Sequence, residues 1–356
     1  MKNLPTNIRI KDIARLAGVS EGTVDRVLHN RGEVSKRSKE AVSNVLDQID
    51  YSPNVVAQAL ASKKKYRFVY LIPHNEMGNY WTAVLKGFQL AAAEYAAYNV
   101  SFNQVSFNQF DAQSYTQAIQ SILQDLPDAA FIAPIFRDET LEFTRALKNS
   151  NIPFSFIDSK IDEVDFLTYY GQNSLKSGYI AAKFLLSDLQ ENKKIFVVRT
   201  KRNGAVSNQT LNRLHGFMQY LTENKPAWSK NIIPIELFDD DEAANLQILR
   251  EATLQYPDLA AVITFNSKVY RLASYFQALN IPNLHVIGYD LLDENVRYLK
   301  QGIIALLIAQ QPENQAYFSA RDMCRFLIFN KKITKVNYMP IDILIKENID
   351  DYQHFL

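Results

Sequence analysis

The chain has 356 residues, with 39 Lys and Arg against 38 Asp and Glu, so its formal net charge is +1. This length predicts about two or three domains with their own cores, and 47% hydrophobic residues exclude a disordered chain. The single cysteine, Cys324, excludes a disulfide framework and a thiolate zinc site within one chain. The longest apolar run, Ile303–Ala309, is too short for a membrane span, and Met1–Ile10 lacks an apolar signal core. We expect a soluble, cytoplasmic protein.

The near-neutral total conceals two unlike regions. Residues 1–67 carry thirteen Lys and Arg against seven Asp and Glu, a net charge of +6, and the remainder therefore carries −5. Such asymmetry is typical of a basic nucleic-acid-binding module attached to a mildly acidic domain.

The basic region contains three short helical patterns. The first ends at Gly18, a residue suited to the left-handed conformation that terminates a helix. Ser20 is a suitable N-cap for the second helix, whose inward face includes Val24, and Ser35 opens the third. Residues 54–62 form a fourth, alanine-rich helical pattern.

The first two helices and the Gly18-Val19-Ser20 turn between them are typical of a helix-turn-helix. This turn orients the second helix so that its N-terminal side chains can enter the major groove of DNA. Arg26 on its outward face can pair with guanine or bind a phosphate. From the helix-turn-helix alone, a small helical domain with a solvated charged face is the alternative.

A family resemblance rests on motifs within residues 9–63. They are Lys11-Asp12-Ile13-Ala14, Gly18-Val19-Ser20, Thr23-Val24, Arg26-Val27-Leu28, Asn30, Val34-Ser35, Tyr51-Ser52-Pro53-Asn54, Ala57, Leu60 and Ala61. Together they resemble the headpiece and hinge helix of the lactose/galactose repressor family. The resemblance implies a DNA-binding headpiece at residues 1–50 and a hinge helix and linker at 51–65.

The resemblance also implies which side chains contact DNA. They are Glu21, Gly22, Thr23, Arg26, Asn30, Ser35, Asn54, Ala57 and Leu60. Leu60 would insert into a central minor-groove step when two hinge helices pair, and an apolar wedge of this kind kinks the duplex. Without the motif, a buried linker leucine is the alternative for Leu60.

The headpiece departs from the family pattern at three positions. Asp25 stands where serine is common, and an acidic side chain there repels phosphate. Glu21 stands where a neutral residue is common, and its carboxylate can accept from cytosine N4. Gly22 has no side chain to read a base, so we expect a base preference that differs from the better-known operators.

From residue 66 onward, β-branched and aromatic runs alternate with helical patterns, which predicts an α/β fold of two doubly wound parallel sheets. The predicted strands are Phe68–Ile72, Val100–Val105, Ala129–Ile132, Phe154–Ile157, Leu167–Tyr170, Ile195–Val198, Ile232–Leu237, Ala261–Phe265, His285–Tyr289, Ile303–Ile308 and Ile341–Ile345. The stretch Asn79-Tyr80-Trp81 before a helix that contains Gly87-Phe88 is similar to the first cleft motif of the type I periplasmic sugar-binding fold. By this motif the region resembles that fold, which is the regulatory core of the same family. We expect a first lobe at about 66–170 and 292–330, and a second at about 171–291 and 331–356.

A ligand site is predicted in the cleft between these lobes, because ligands of open α/β sheets bind at the carboxyl ends of the strands. The polar residues at predicted strand ends or near helix starts that match the family's effector-binding positions are Asp158, Asn173, Arg213, Asn266, Asp290 and Gln310. Tyr80 and Trp81, at the start of a helix, are suited to stacking on a sugar ring. Each polar residue alone is more typical of a loop cap than of a ligand contact, and the two aromatic residues are equally typical of a lobe core.

The predicted site departs from the family in ways that leave the ligand open. Asn173 stands where the family usually has Asp, and Asn266-Ser267 where it usually has Asn-Asp. The loss of two carboxylates removes strong acceptors for sugar hydroxyls. A modified or phosphorylated sugar, or a ligand that is not a sugar, therefore remains an alternative.

No sequence feature indicates an enzyme, a cofactor or a metal. The chain has no Gly-x-Ser-x-Gly, His-Glu-x-x-His, P-loop or Gly-x-Gly-x-x-Gly motif, and its five histidines are scattered. The acidic run Asp239–Glu242 is more typical of a helix start than of a metal site. We expect a homodimeric repressor of operator DNA, controlled by a sugar-like ligand; the alternative is a sugar-binding transport or sensor protein.

Overall fold

The protein is described by a computed structural model that covers residues 9–28, 32–48, 56, 59–60, 62–74, 80–187, 189–201, 208–239 and 241–355. The chain divides into two compact units, residues 1–61 and 62–356. Each unit has its own hydrophobic core.

The first unit consists of helices α1 (Ile10–Ala17), α2 (Glu21–Leu28) and α3 (Lys36–Gln48). Gly18 adopts the left-handed conformation, with φ of 65°, and ends α1 as predicted. The Ser20 and Ser35 hydroxyls accept bonds from backbone N–H groups in the first turns of α2 and α3. Of the hinge-helix pattern, residues 56, 59 and 60 are described and helical; Asn54 and Ala57 lie outside the described residues.

The second unit alternates strands and helices. Its strands are β1 (Tyr66–Pro73), β2 (Val100–Phe107), β3 (Ala129–Ile132), β4 (Phe154–Ile157), β5 (Thr168–Gln172), β6 (Lys194–Lys201), β7 (Ile232–Phe238), β8 (Leu259–Thr264), β9 (His285–Tyr289), β10 (Ile304–Ala309), β11 (Val336–Met339) and β12 (Asp342–Leu344). Its α-helices are α4 (Tyr80–Tyr95), α5 (Ala112–Gln124), α6 (Arg137–Asn149), α7 (Ser174–Leu185), α8 (Asn208–Asn224), α9 (Glu242–Gln255), α10 (Val269–Ala278), α11 (Asp293–Lys300), α12 (Pro312–Leu327) and α13 (Ile349–Phe355). Short 3₁₀ turns occupy Ala96–Tyr98 and Pro226–Asn231.

The strands form two six-stranded sheets of the same design. The first has the order β2-β1-β3-β4-β5-β11, and all its neighbours are parallel. The second has the order β7-β6-β8-β9-β10-β12, with only β12 antiparallel. In β1, Phe68 and Val69 pack into cores on opposite faces of the sheet. The predicted doubly wound α/β fold is confirmed.

The predicted lobe boundaries are wrong near the C-terminus. Strand β10 pairs with β9 and β12, so it and the preceding α11 belong to the second lobe, not the first. Strand β11 pairs with β5 and belongs to the first lobe. The prediction missed β11 because this edge strand is short and only Met339 in it is buried. The chain therefore crosses between lobes after Gln172, after Ala309 and at Pro340.

Two glycines allow α7 and α8 to cross at close range. A Cβ atom on Gly178 would lie 1.8 Å from the carbonyl oxygen of Arg213, and one on Gly216 would lie 1.8 Å from that of Leu175. Any side chain at either position would push the helices apart, so the glycines determine where α8 lies.

We predict that Gly178→Ala destabilises the protein by about 1–3 kcal/mol, the usual cost of overpacking. The added methyl group has to displace the backbone of α8 at Arg213. Chemical denaturation measures the change. Gly22→Ala is the control, because the nearest atoms to its Cβ lie 3.9 Å away; equal stability of Gly178→Ala and wild type would contradict the prediction.

Candidate functional site

A cleft between the two lobes collects the carboxyl ends of strands from both sheets. Its free space is about 820 Å³, part of it open to solvent. In each sheet the strand order reverses next to the first strand, between β1 and β3 and between β6 and β8. Ligands of open α/β sheets bind at such switch points.

Seven of the eight predicted effector-site residues line this cleft: Tyr80, Trp81, Asp158, Arg213, Asn266, Asp290 and Gln310. The eighth, Asn173, is not among the lining residues. Its Oδ1 accepts the backbone N–H of Lys176 at 2.9 Å and caps α7. The prediction of Asn173 as a ligand contact is therefore corrected to that of a helix cap.

Several lining residues were not predicted. Gln209 lies four residues before Arg213 and hence on the same face of α8, a spacing that the sequence already contains. Thr200 lies beyond the predicted end of β6, and its hydroxyl accepts a 3.2 Å bond from the Asn266 amide. The other unpredicted lining residues are Gln109, Ile135, Val198, Arg199, Thr210, Thr264, Phe265 and Ser267.

Arg213 is the central cation of the cleft and is 1% exposed. Its Nη1 donates to the carbonyl oxygen of Phe265 at 2.8 Å, and its guanidinium carbon lies 3.8 Å from the centre of the Tyr289 ring. At such a distance the face of the ring attracts the cation. Its Nε and Nη2 are buried and have no hydrogen-bond partner among the described residues.

Two buried carboxylates occupy equivalent places in the two lobes. Asp158 follows β4 and Asp290 follows β9, with left-handed φ of 67° and 70°. Burial raises the pKa of Asp158, and raises that of Asp290 to about 6, while the charge of Arg213 opposes both shifts. The cleft therefore contains one buried guanidinium, that of Arg213, and two carboxyl groups that are costly to ionise.

Two carboxamides connect these carboxyl groups. Gln209 Nε2 lies 3.1 Å from both Asp158 Oδ1 and Gln310 Oε1, and donates to each. Gln310 Nε2 donates to Asp290 Oδ1 at 2.8 Å. The resulting chain of hydrogen bonds begins in the first lobe and ends in the second.

The aromatic part of the cleft lies at the start of α4. The Tyr80 and Trp81 rings meet edge to face, with their centres 5.1 Å apart. The Tyr80 hydroxyl is buried beside the carboxyl group of Asp158, with which it interacts. Burial raises the pKa of Tyr80 well above its ordinary value, so its hydroxyl keeps its proton and can donate.

Of the acidic run near the cleft, Asp239 and Asp241 have structural roles, and the run precedes a helix as predicted. Asp241 caps α9 through a 2.9 Å bond to the N–H of Ala244, and Asp239 Oδ1 pairs with Lys268 and Arg271 at 2.8 and 3.1 Å. Within the described ranges, no three His, Cys, Asp or Glu side chains cluster as metal ligands. Nor does any described helix combine the length and apolar character that a bilayer span needs.

In the first unit, α2 presents the predicted DNA-reading residues. Glu21, Gly22 and Arg26 are exposed, and Thr23 is half-buried, with its hydroxyl 2.9 Å from that of Ser20. The prediction for Asn30 falls outside the described residues, as do those for Asn54 and Ala57. Two further predicted contacts, Ser35 and Leu60, are exposed.

Comparison with known proteins covers both units. Residues 9–54 match the family of bacterial regulatory proteins of the lacI type, and residues 68–331 match the periplasmic binding protein domain. A candidate LacI transcriptional regulator from Bacteroides fragilis has a crystal structure with 40% identity and a TM-score of 0.77, over 81% of this chain and 100% of that one.

Two curated relatives extend the comparison along the chain. The transcriptional regulator DegA of Bacillus subtilis is 25% identical over 79% of this chain and 81% of its own length. The transcriptional repressor PurR of Proteus mirabilis is 24% identical over 91% of each chain. With a helix-turn-helix at its N-terminus and a ligand cleft in a periplasmic-binding-protein core, the chain belongs to the lacI family of ligand-controlled, DNA-binding transcriptional regulators.

Proposed function

We propose that this regulator is a homodimeric repressor whose operator affinity is set by a neutral, sugar-type ligand in the interlobe cleft. The observation that carries the proposal is the buried Arg213, whose Nε and Nη2 have no acceptor on the described chain although two buried carboxyl groups line the same cleft.

The polar groups of the cleft suit a ligand with several hydroxyl groups. A hydroxyl both donates and accepts, so it can accept from Arg213 or Tyr80 and donate to Asp158 or Asp290. The Tyr80 and Trp81 rings supply an apolar surface for the face of a sugar ring.

Charge favours a neutral ligand over a phosphorylated one. With both carboxylates ionised, the charges of Asp158, Asp290 and Arg213 sum to −1. The other lining cation, Arg199, is paired, because its Nη2 lies 3.3 Å from Oε1 of Glu236. A buried phosphate would add negative charge to a lining that already sums to −1, which is costly in a poorly solvated site.

The DNA-binding part of the proposal rests on the first unit and on the basic residues that directly follow it. Residues 1–67 carry a charge of +6, and α2 exposes Arg26 on its outward face. A single small headpiece offers little interface, so paired headpieces on paired half-sites are expected, and binding should weaken with salt. The PurR relative is named a repressor, which supports repression, and DNA binding implies action in the cytoplasm.

A headpiece of this kind argues against a transport-type binding protein, and the cleft chemistry requires no catalytic step. Ligand binding that favours one arrangement of the lobes would change operator affinity with a coupling of about 1–3 kcal/mol. By the resemblance to the lactose/galactose repressor family, the change would reach DNA through pairing of hinge helices that carry Leu60.

We predict that Arg213→Met abolishes the thermal stabilisation that a neutral sugar confers, because it removes both unpaired donors. A thermal-shift screen of neutral mono- and disaccharides and their phosphates identifies the ligand in wild type. Arg250→Met, at an exposed arginine of α9, is the control. A response to phosphates alone would contradict a neutral ligand, and an Arg213→Met protein that still responds would place the site elsewhere.

We predict that Asp290→Asn stabilises the ligand-free protein at neutral pH while weakening ligand binding. With a folded pKa of about 6 against an ordinary 3.8, Asp290 lowers stability as pH rises from about 4 to 6, because the folded state holds its proton longer. Removing the carboxylate should recover about 3 kcal/mol at pH 7.5 and little near pH 4. Unfolding is measured at both values with the exposed Asp293→Asn as control; equal gains at both would contradict the assignment.

We predict that Arg26→Ala weakens specific operator binding by about 1–3 kcal/mol, roughly five- to 150-fold. Binding is measured by fluorescence anisotropy on sites selected by the wild-type protein from random DNA. Arg15→Ala, an exposed arginine on α1, is the matched control. Unchanged affinity of Arg26→Ala would exclude α2 as the reading helix.

A further inference from the structure

Three chain segments connect the lobes, and one buried side chain contacts all of them. The first crossover begins after Gln172, the last residue of β5, and the second after Ala309, the last residue of β10. The third is at Pro340, between β11 and β12. These segments are far apart in sequence but adjacent in the fold.

The Gln172 carboxamide donates across both other crossovers. Its Nε2 lies 2.9 Å from the carbonyl oxygen of Ala309 and 3.3 Å from that of Pro340. The side chain is 1% exposed, and its Oε1 is buried with no hydrogen-bond partner in the described part of the chain. A buried unpaired oxygen is unfavourable. An apolar side chain of similar length would avoid this cost, but it could not make the two hydrogen bonds of the amide.

Gln172 does not line the cleft, yet it is adjacent in sequence to residues that shape it. Ala309, whose carbonyl it binds, precedes Gln310, the carboxamide that donates to Asp290. Asn173, which follows it, caps α7. Helix α7 packs through Gly178 against the backbone of Arg213. A displacement of Gln172 would therefore move residues on both sides of the site.

We propose that Gln172 is a positioning residue that joins the three crossovers into one hinge, so that the lobes move as rigid bodies about a single axis. Hinge closure of two lobes around a ligand needs the linking segments to bend together. With Gln172 in place, a ligand that biases lobe closure biases all three segments at once. Its effect on DNA binding rests on the proposed function, whereas the hinge itself does not.

The test measures the distance between the lobes in the full-length protein without any ligand. Nitroxide labels are placed on Lys148→Cys in the first lobe and Gln277→Cys in the second, both exposed positions. The native Cys324 is fully buried and is not expected to take a label in the folded protein. Labelled chain is diluted with unlabelled chain, so that only distances within one subunit are recorded by pulsed electron paramagnetic resonance.

Gln172→Met keeps the side-chain length but removes both donors, and Gln301→Met, at an exposed residue after α11, is the control. We expect a broader distance distribution for Gln172→Met and a wild-type distribution for Gln301→Met. A lower unfolding midpoint with an unchanged distribution would overturn the proposal, because it would show a merely structural role.

If circular dichroism shows that Gln172→Met is unfolded, Gln172→Asn replaces it and is interpreted in the same way, because the shorter amide cannot span both bonds. The outcome does not depend on the ligand. A sugar screen without a response would refute the proposed ligand but would not contradict the hinge. An unchanged distance distribution for Gln172→Met would refute the hinge but would not contradict the proposed ligand.

Discussion

The charge of Arg213 constrains the whole cleft. A guanidinium that is 1% exposed must be held by groups that compensate for its lost solvation. The carbonyl of Phe265 and the face of Tyr289 do this from the second sheet, and two carboxyl groups contribute negative charge from both lobes. These partners leave two nitrogens of Arg213 unpaired within the described chain. The unpaired nitrogens lower the stability of the folded protein, and they are available to bind a ligand.

The surrounding structure serves to hold that cation at one place. Gly178 and Gly216 let α8 lie against α7 at backbone distance, and the duplicated sheet design brings Asp158 and Asp290 to matching strand ends. Raised carboxyl pKa values follow from the same burial. We therefore expect the site residues to lower the stability of the ligand-free protein while they provide contacts to the ligand, as groups at binding sites often do.

The change in charge along the chain lies just beyond the boundary between the units, because Lys63, Lys64, Lys65 and Arg67 belong to the second unit and residues 1–61 alone carry +2. The +6 segment contains the helix-turn-helix, where phosphate attraction supports DNA binding. The remaining −5 lies in the ligand-binding unit, whose cleft carries more acidic than unpaired basic groups. A net charge near zero thus arises from two regions with opposite tasks.

Local patterns in the sequence were sufficient for the elements and for most of the site. The Gly18 turn, the Ser20 and Ser35 caps and eleven strands depend on near neighbours. Strand ends and helix starts, together with the family resemblance, indicated seven lining residues. Strand pairing could not be predicted in this way, so β11 was missed and β10 was assigned to the wrong lobe. The same holds for the partners of Gln172, which lie 137 and 168 residues away. Such contacts depend on how distant segments pack, and no local pattern encodes them.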